Sequence, residues 1–188
     1  ARNALTVVQS VVRLTNGEPD QFKETVAGRV DALARAQASL AKTNWRGAFL
    51  AEVVSQELSF IADPAQVTIE GPPIHVEPEQ VQPLSMVLHE LATNAAKHGA
   101  LSAPGGRIFV AWRPNDQGWT LTWREDGGPP VEAPTSTGFG SRLIRNLARE
   151  LGGSTQLHWR PTGLQFEMVV ATRRAEPGQT HAFIGALS

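Results

Sequence analysis

Apolar residues recur along this chain at helical and at alternating spacings, and each predicts a different element. From Asn3 to Leu14 the pattern is helical from its first residues, so the chain reads as beginning inside an element. Asn16-Gly17-Glu18-Pro19-Asp20 breaks that helix, with Asp20 placed to cap the next. The second helix sets Val26, Val30, Leu33, Gln37 and Leu40 on one seam, in alternating steps of four and three residues. Two antiparallel helices of this kind cannot cover wide apolar stripes alone. Pairing with a second copy into a four-helix bundle covers them, and packing on the rest of the same chain is the alternative.

A domain boundary is expected near Lys42. Thr43-Asn44 should cap a third helix, Trp45 to Phe60, with Leu50, Val54 and Leu58 on one face. Short strands, Val67 to Glu70 and Ile74 to Glu77, flank Gly71-Pro72-Pro73, and a long helix runs from about Pro78 to His98 with Gly99 as its C-cap. Strands are predicted at Arg107 to Trp112, Trp119 to Glu125, Gln156 to Arg160 and Leu164 to Ala171, with a helix from Phe139 to Leu151. Trp119, Leu121 and Trp123 fall on one side of their strand, Thr120 and Thr122 on the other. The fold class is α+β: a helical hairpin over residues 1–42, then a two-layer α/β sandwich over residues 43–175. Residues 176–188 read as a loose tail with an apolar cluster at Ala182-Phe183-Ile184.

Composition narrows the picture. Seventeen basic residues against 18 acidic imply neither a nucleic acid nor an anionic surface as partner. The absence of cysteine excludes disulfides and thiolate metal sites and suits a reducing cytoplasm. No apolar run approaches the ~18 residues of a membrane span.

The chemistry concentrates in Leu88-His89-Glu90-Leu91-Ala92-Thr93-Asn94-Ala95-Ala96-Lys97-His98-Gly99. Leu84, Leu88, Leu91 and Ala95 share a core face, while Glu90, Asn94 and Lys97 form a second, narrow polar stripe. An amide oxygen is a hard metal ligand, an ammonium offsets phosphate charge, and a carboxylate can hold a water or a proton. Such a stripe is also an ordinary solvated face, and what lies downstream shifts the balance. The strand ending Trp123-Arg124-Glu125-Asp126-Gly127-Gly128-Pro129 puts acids and glycines at its tip. Gly138-Phe139-Gly140 opens the next helix with backbone N–H groups suited to phosphate oxygens.

These stretches, with Trp45-Arg46-Gly47-Ala48, resemble the transmitter region of bacterial sensor histidine kinases of the HWE subclass. That subclass is named for a His in the Asn-bearing helix, here His89, and a Trp-x-Glu, here Trp123-Arg124-Glu125. The resemblance runs from about Ala1 to about Ala171. It implies a hairpin of the dimerisation and histidine-phosphotransfer type, truncated at its N-terminus, followed by an ATP-binding domain of the GHKL type. It also implies ATP and Mg²⁺ as cofactors, a response regulator receiver domain as partner, a homodimer and an upstream sensory domain. Glu90 and Asn94 are the expected catalytic residues, with Asn94 the magnesium ligand. Asn94, Lys97, His98, Glu125, Asp126, Gly127, Gly128, Gly138, Phe139 and Gly140 are expected around ATP. Glu125 stands where most histidine kinases keep an adenine-binding Asp, which leaves Asp126 as a competing candidate. His89 points away from the Glu90–Asn94 stripe and reads as a packing residue, and Pro129 to Thr137 reads as a short, stiff lid. The phosphate-accepting histidine is expected two residues before Ala1. A GHKL-type ATPase, or a nucleotide-binding scaffold that phosphorylates no histidine, is the alternative.

Overall fold

The computed structural model describes residues 4–15, 17–130 and 139–172. Two helices, α1 (Ala4–Leu14) and α2 (Pro19–Lys42), precede a ribbon and sandwich. There follow β1 (Ala48–Phe49), α3 (Leu50–Ser59), β2 (Val67–Glu70), β3 (His75–Val76), α4 (Pro78–Lys97), β4 (Arg107–Asn115) and β5 (Gly118–Asp126). The chain continues through α5 (Phe139–Glu150), β6 (Gly153–Arg160) and β7 (Gly163–Ala171). The five-stranded sheet has the order β2-β4-β5-β7-β6; β2 and β4 are parallel and every other pair is antiparallel.

Register explains the single apolar face. Val110 lies opposite Trp123, which lies opposite Phe166, and Leu121 stands between Trp112 and Met168. All six are buried, so the tryptophans are core residues. The helices cover this face, and α4 occupies the centre of their layer, packed against α2, α3 and α5. Its residues are buried without interruption from Pro83 to Ala92, as a helix enclosed on all sides requires. Leu84, Leu88 and Leu91 are fully buried, and shortening any one to Ala should cost about 2–5 kcal/mol.

Part of the α2 seam is covered by its own chain. Leu33 and Leu40 are buried, Val26, Val30 and Gln37 half-buried, and the buried face is centred on Arg29, Ala32, Leu33, Ala36 and Leu40. Ala32, Ala36 and Leu40 join the same hydrophobic cluster as the sheet, as does Val11 of α1. Three local expectations are corrected. The first concerns Thr43 and Asn44, which end α2 instead of starting α3. Thr43 donates its hydroxyl to the Leu40 and Gly47 carbonyls, and Asn44 and Trp45 both take left-handed conformations (φ 51° and 59°). α3 therefore starts at Leu50, after β1 has paired with β3. Gly47 (φ 90°) is needed beside that ribbon, since a Cβ there would lie 2.2 Å from the Val76 carbonyl oxygen. The second is Asp20, which sits in the first turn of α2 behind an N-cap at Glu18. The third is Gly99: His98 is the C-cap of α4, and Gly99 has an ordinary extended φ of −110°.

Candidate functional site

Glu90, Asn94 and Lys97 of α4, with His98 that caps it, line one cavity of about 300 Å³. Its opposite wall comes from α2, with Thr25, Gly28 and Arg29. The helical spacing read from the sequence therefore does bring the polar stripe to one surface. Asn94 and Lys97 are exposed there, and their side chains have no hydrogen-bond or ion-pair partner among the described residues. An unengaged amide oxygen beside an unengaged ammonium suits a divalent cation and phosphate oxygens.

Glu90 is placed differently. It is buried, and Arg29 engages both of its oxygens: Nε donates to Oε1 at 2.5 Å and Nη2 to Oε2 at 2.8 Å. Arg29 is buried as well, and its Nη1 donates to Thr15 Oγ1 at 2.8 Å, whose hydroxyl donates in turn to the Val11 carbonyl. A bidentate guanidinium–carboxylate pair with a further donor also engaged is the geometry that best repays removing two charges from water. Two more polar ties fix α2. Arg35 pairs with buried Glu57 of α3 at 2.8 Å, and Gln37 donates to Gln82 of α4 at 2.9 Å. Burial pushes the Glu57 carboxyl above its ordinary pKa, and Arg35 pulls against that rise.

Arg29 was not among the residues singled out from sequence. The signal that could have found it is a mismatch of charge and environment: an arginine among Ala32, Leu33 and Ala36 on an otherwise apolar face, and a glutamate set between the core leucines Leu88 and Leu91. His89, also buried, lies against Gly28, where a Cβ would come within 3.2 Å of its Nε2. Burial lowers its pKa, which favours the neutral ring.

The second group of expected residues collects just past the C-terminus of α4. Trp123 and Glu125 stand two apart on β5 and so share its inward face. The indole N–H donates to Glu125 Oε1 at 3.0 Å, and the Ala100 amide to Oε2 at 2.9 Å. Trp-x-Glu is thus a donor–acceptor pair inside the core. Burial raises the Glu125 pKa, against the opposing pull of these two hydrogen bonds. Gly99 is required by this approach, since a Cβ would lie 2.1 Å from Glu125 Oε2. Gly127 (φ 74°) and Gly128 let the strand tip close on the Gly99–Gly106 segment; a Cβ at Gly128 would meet Ala100 Cα at 2.7 Å. Asp126 is half-buried, on the opposite side of the strand, and pairs with Arg124 at 2.5 Å. Of the two competing acids, Glu125 alone faces inward. α5 starts at Phe139 with Gly140 second, while Gly138 and the predicted lid residues 131–137 lie outside the described residues.

Residues 1–73 match the family model described as HWE histidine kinase. The blue-light-activated histidine kinase of Rhizobium johnstonii is 36% identical over 174 residues, covering 90% of this chain and 50% of that protein. That of Brucella anthropi is 32% identical over 178 residues, covering 89% of this chain and 36% of that protein. The chain thus spans half or less of the length of these relatives. Among solved structures, the blue-light activated histidine kinase of Erythrobacter litoralis EL346 superposes with a TM-score of 0.69 at 18% identity, over 89% of this chain and 57% of that one. Its separate histidine kinase domain gives 0.64 at 16% identity, over 87% and 90%. At such identities the match speaks for the fold. Among the described residues no helix is long and apolar enough to cross a membrane.

Proposed function

The chain belongs to the HWE histidine kinase family, and from that premise we propose that it binds ATP with Mg²⁺ beside α4 and transfers the γ-phosphoryl group to a histidine. The observation that carries this reading is the unengaged pair Asn94 and Lys97 on the wall of a cavity shared with the hairpin helix α2. These residues fit the group. The Asn94 amide oxygen would hold the metal, which when bound neutralises charge on the β- and γ-oxygens, and the Lys97 ammonium would meet phosphate. Glu125 and the Gly127–Gly128 corner would border the adenine end, and the Phe139–Gly140 start of α5 the phosphates.

In the proposed reaction an imidazole nitrogen on the hairpin, expected upstream of Ala1, attacks the γ-phosphorus in line. The P–N bond forms as the bond to the ADP oxygen breaks. The phosphohistidine then passes its group to an aspartate on a response regulator receiver domain. On this reading residues 1–42 serve dimerisation and phosphotransfer, residues 43–175 bind nucleotide, residues 176–188 form a tail, and a sensory domain precedes them in a cytoplasmic homodimer.

Titration with Mg²⁺ and a non-hydrolysable ATP analogue tests the first step. The parent should bind in a magnesium-dependent way, and Asn94→Ala should weaken that binding by about ten-fold or ~1.4 kcal/mol. A flat titration of the parent would sink the reading. Labelled γ-phosphate in the full-length protein should appear on a histidine, as an acid-labile and base-stable adduct.

A further inference from the structure

We infer that Arg29 is a positioning residue that keeps Glu90 from activating water, and so suppresses hydrolysis of the ATP whose binding is proposed above. Glu90 lies one helical turn before Asn94 and lines the same cavity. A carboxylate so placed, with an oxygen to spare, is a general base for water. Water oxygen would attack the γ-phosphorus, the bond to ADP would break, and the proton would go to the carboxylate. That side reaction consumes the phosphoryl group meant for an imidazole, which carries its own lone pair and requires no such base when neutral.

Arg29 removes the option. Its Nε and Nη2 occupy one oxygen each, and the Thr15 hydroxyl fixes the third arm of the guanidinium. Both Thr15 and Arg29 belong to the helical hairpin, so Glu90 is restrained only while α2 is seated on α4. A tie that served packing alone would also bury the pair, but its loss would lower turnover of every kind. Loss of a restraint raises one reaction selectively.

The test is inorganic phosphate release by the full-length protein, with magnesium-dependent nucleotide binding measured in parallel. Arg29→Gln keeps hydrogen-bonding capacity without the charged fork. It should raise kcat for phosphate release about ten-fold, the low side of what a positioned base supplies, and leave KM for ATP within about two-fold. Adding Glu90→Gln to that variant should return release to the parental rate. Should Arg29→Gln not fold, Arg29→Lys reads the same way, because a single ammonium cannot hold both oxygens, and a rise of several-fold is expected. A folded variant of either kind that binds nucleotide and releases phosphate no faster than the parent overturns the inference. Absence of nucleotide binding in the parent instead overturns the proposed function on which it rests.

Discussion

The α2–α4 interface and the corner between β5 and the turn after α4 each bury a carboxylate, and they do so by opposite means. Glu90 meets a full positive charge, supplied by Arg29 from 61 residues away in sequence. Glu125 meets only neutral donors, the indole of Trp123 and the Ala100 amide. The first arrangement couples two elements that could separate. The second belongs to the sheet and cannot be undone without opening the core. A charge pair therefore marks a contact between parts, and a neutral cage marks a permanent corner.

Breaking the charge pair from one side should give the largest effect. Arg29→Ala leaves a buried carboxylate without its counter-ion and should cost about 3–5 kcal/mol in chemical denaturation, whereas the double change Arg29→Met with Glu90→Leu should be near neutral. An equal loss in both would mean that the ion pair itself holds α2 and that apolar packing cannot replace it.

The corner is next. Gly99→Ala drives a methyl to 2.1 Å from Glu125 Oε2 and 2.9 Å from Ala95 Cα. Overpacking of that kind costs about 1–3 kcal/mol, read as a lowered midpoint of denaturation with an unchanged slope. Trp123→Phe keeps most of the ring and removes one donor, so a smaller loss of about 1–2 kcal/mol is expected in the same measurement. If it matched the parent, the indole–carboxylate contact would carry no weight.

The smallest effect is one of pH. The Glu125 carboxyl is raised above 4.5 by burial, so the folded state holds its proton more tightly than the unfolded chain does. Its contribution is complete below pH 4.5 and is lost as pH rises through the higher folded value. Relative to Glu125→Gln, the parent should lose stability on going from pH 4 towards neutrality. Subtracting the variant also removes the parallel trend from Glu57. A parent-minus-variant difference that grew with pH would reverse the assignment.

Much of this architecture was legible because periodicity is local. The strand Val67–Glu70 and the Pro78 start of α4 were read to the residue, and the alternation through Trp119, Leu121 and Trp123 placed the sheet's inner face. What failed was information that is not periodic. Thr43-Asn44 looks like a helix start because the same short polar side chains serve both ends of helices, and only the left-handed turn at Asn44 and Trp45 decides between them. Gly99 looked like a left-handed cap but is selected by a carboxylate 26 residues later in the chain. The polar stripe of α4 was visible in full, yet spacing along one helix says nothing about which side chain another helix presses onto it. Arg29 went unnoticed for that reason.

A fork with two prongs accepts little sliding. The rise per residue in a helix is about 1.5 Å, and each prong spans 2.5 or 2.8 Å. Moving α2 along α4 by a full turn, about 5.4 Å, would carry both prongs beyond bonding range together, while the apolar contacts beneath them would merely shear. Any pull arriving along α2 therefore meets a catch that holds or releases whole, so what travels down this helix is a yes or a no and not a graded tension.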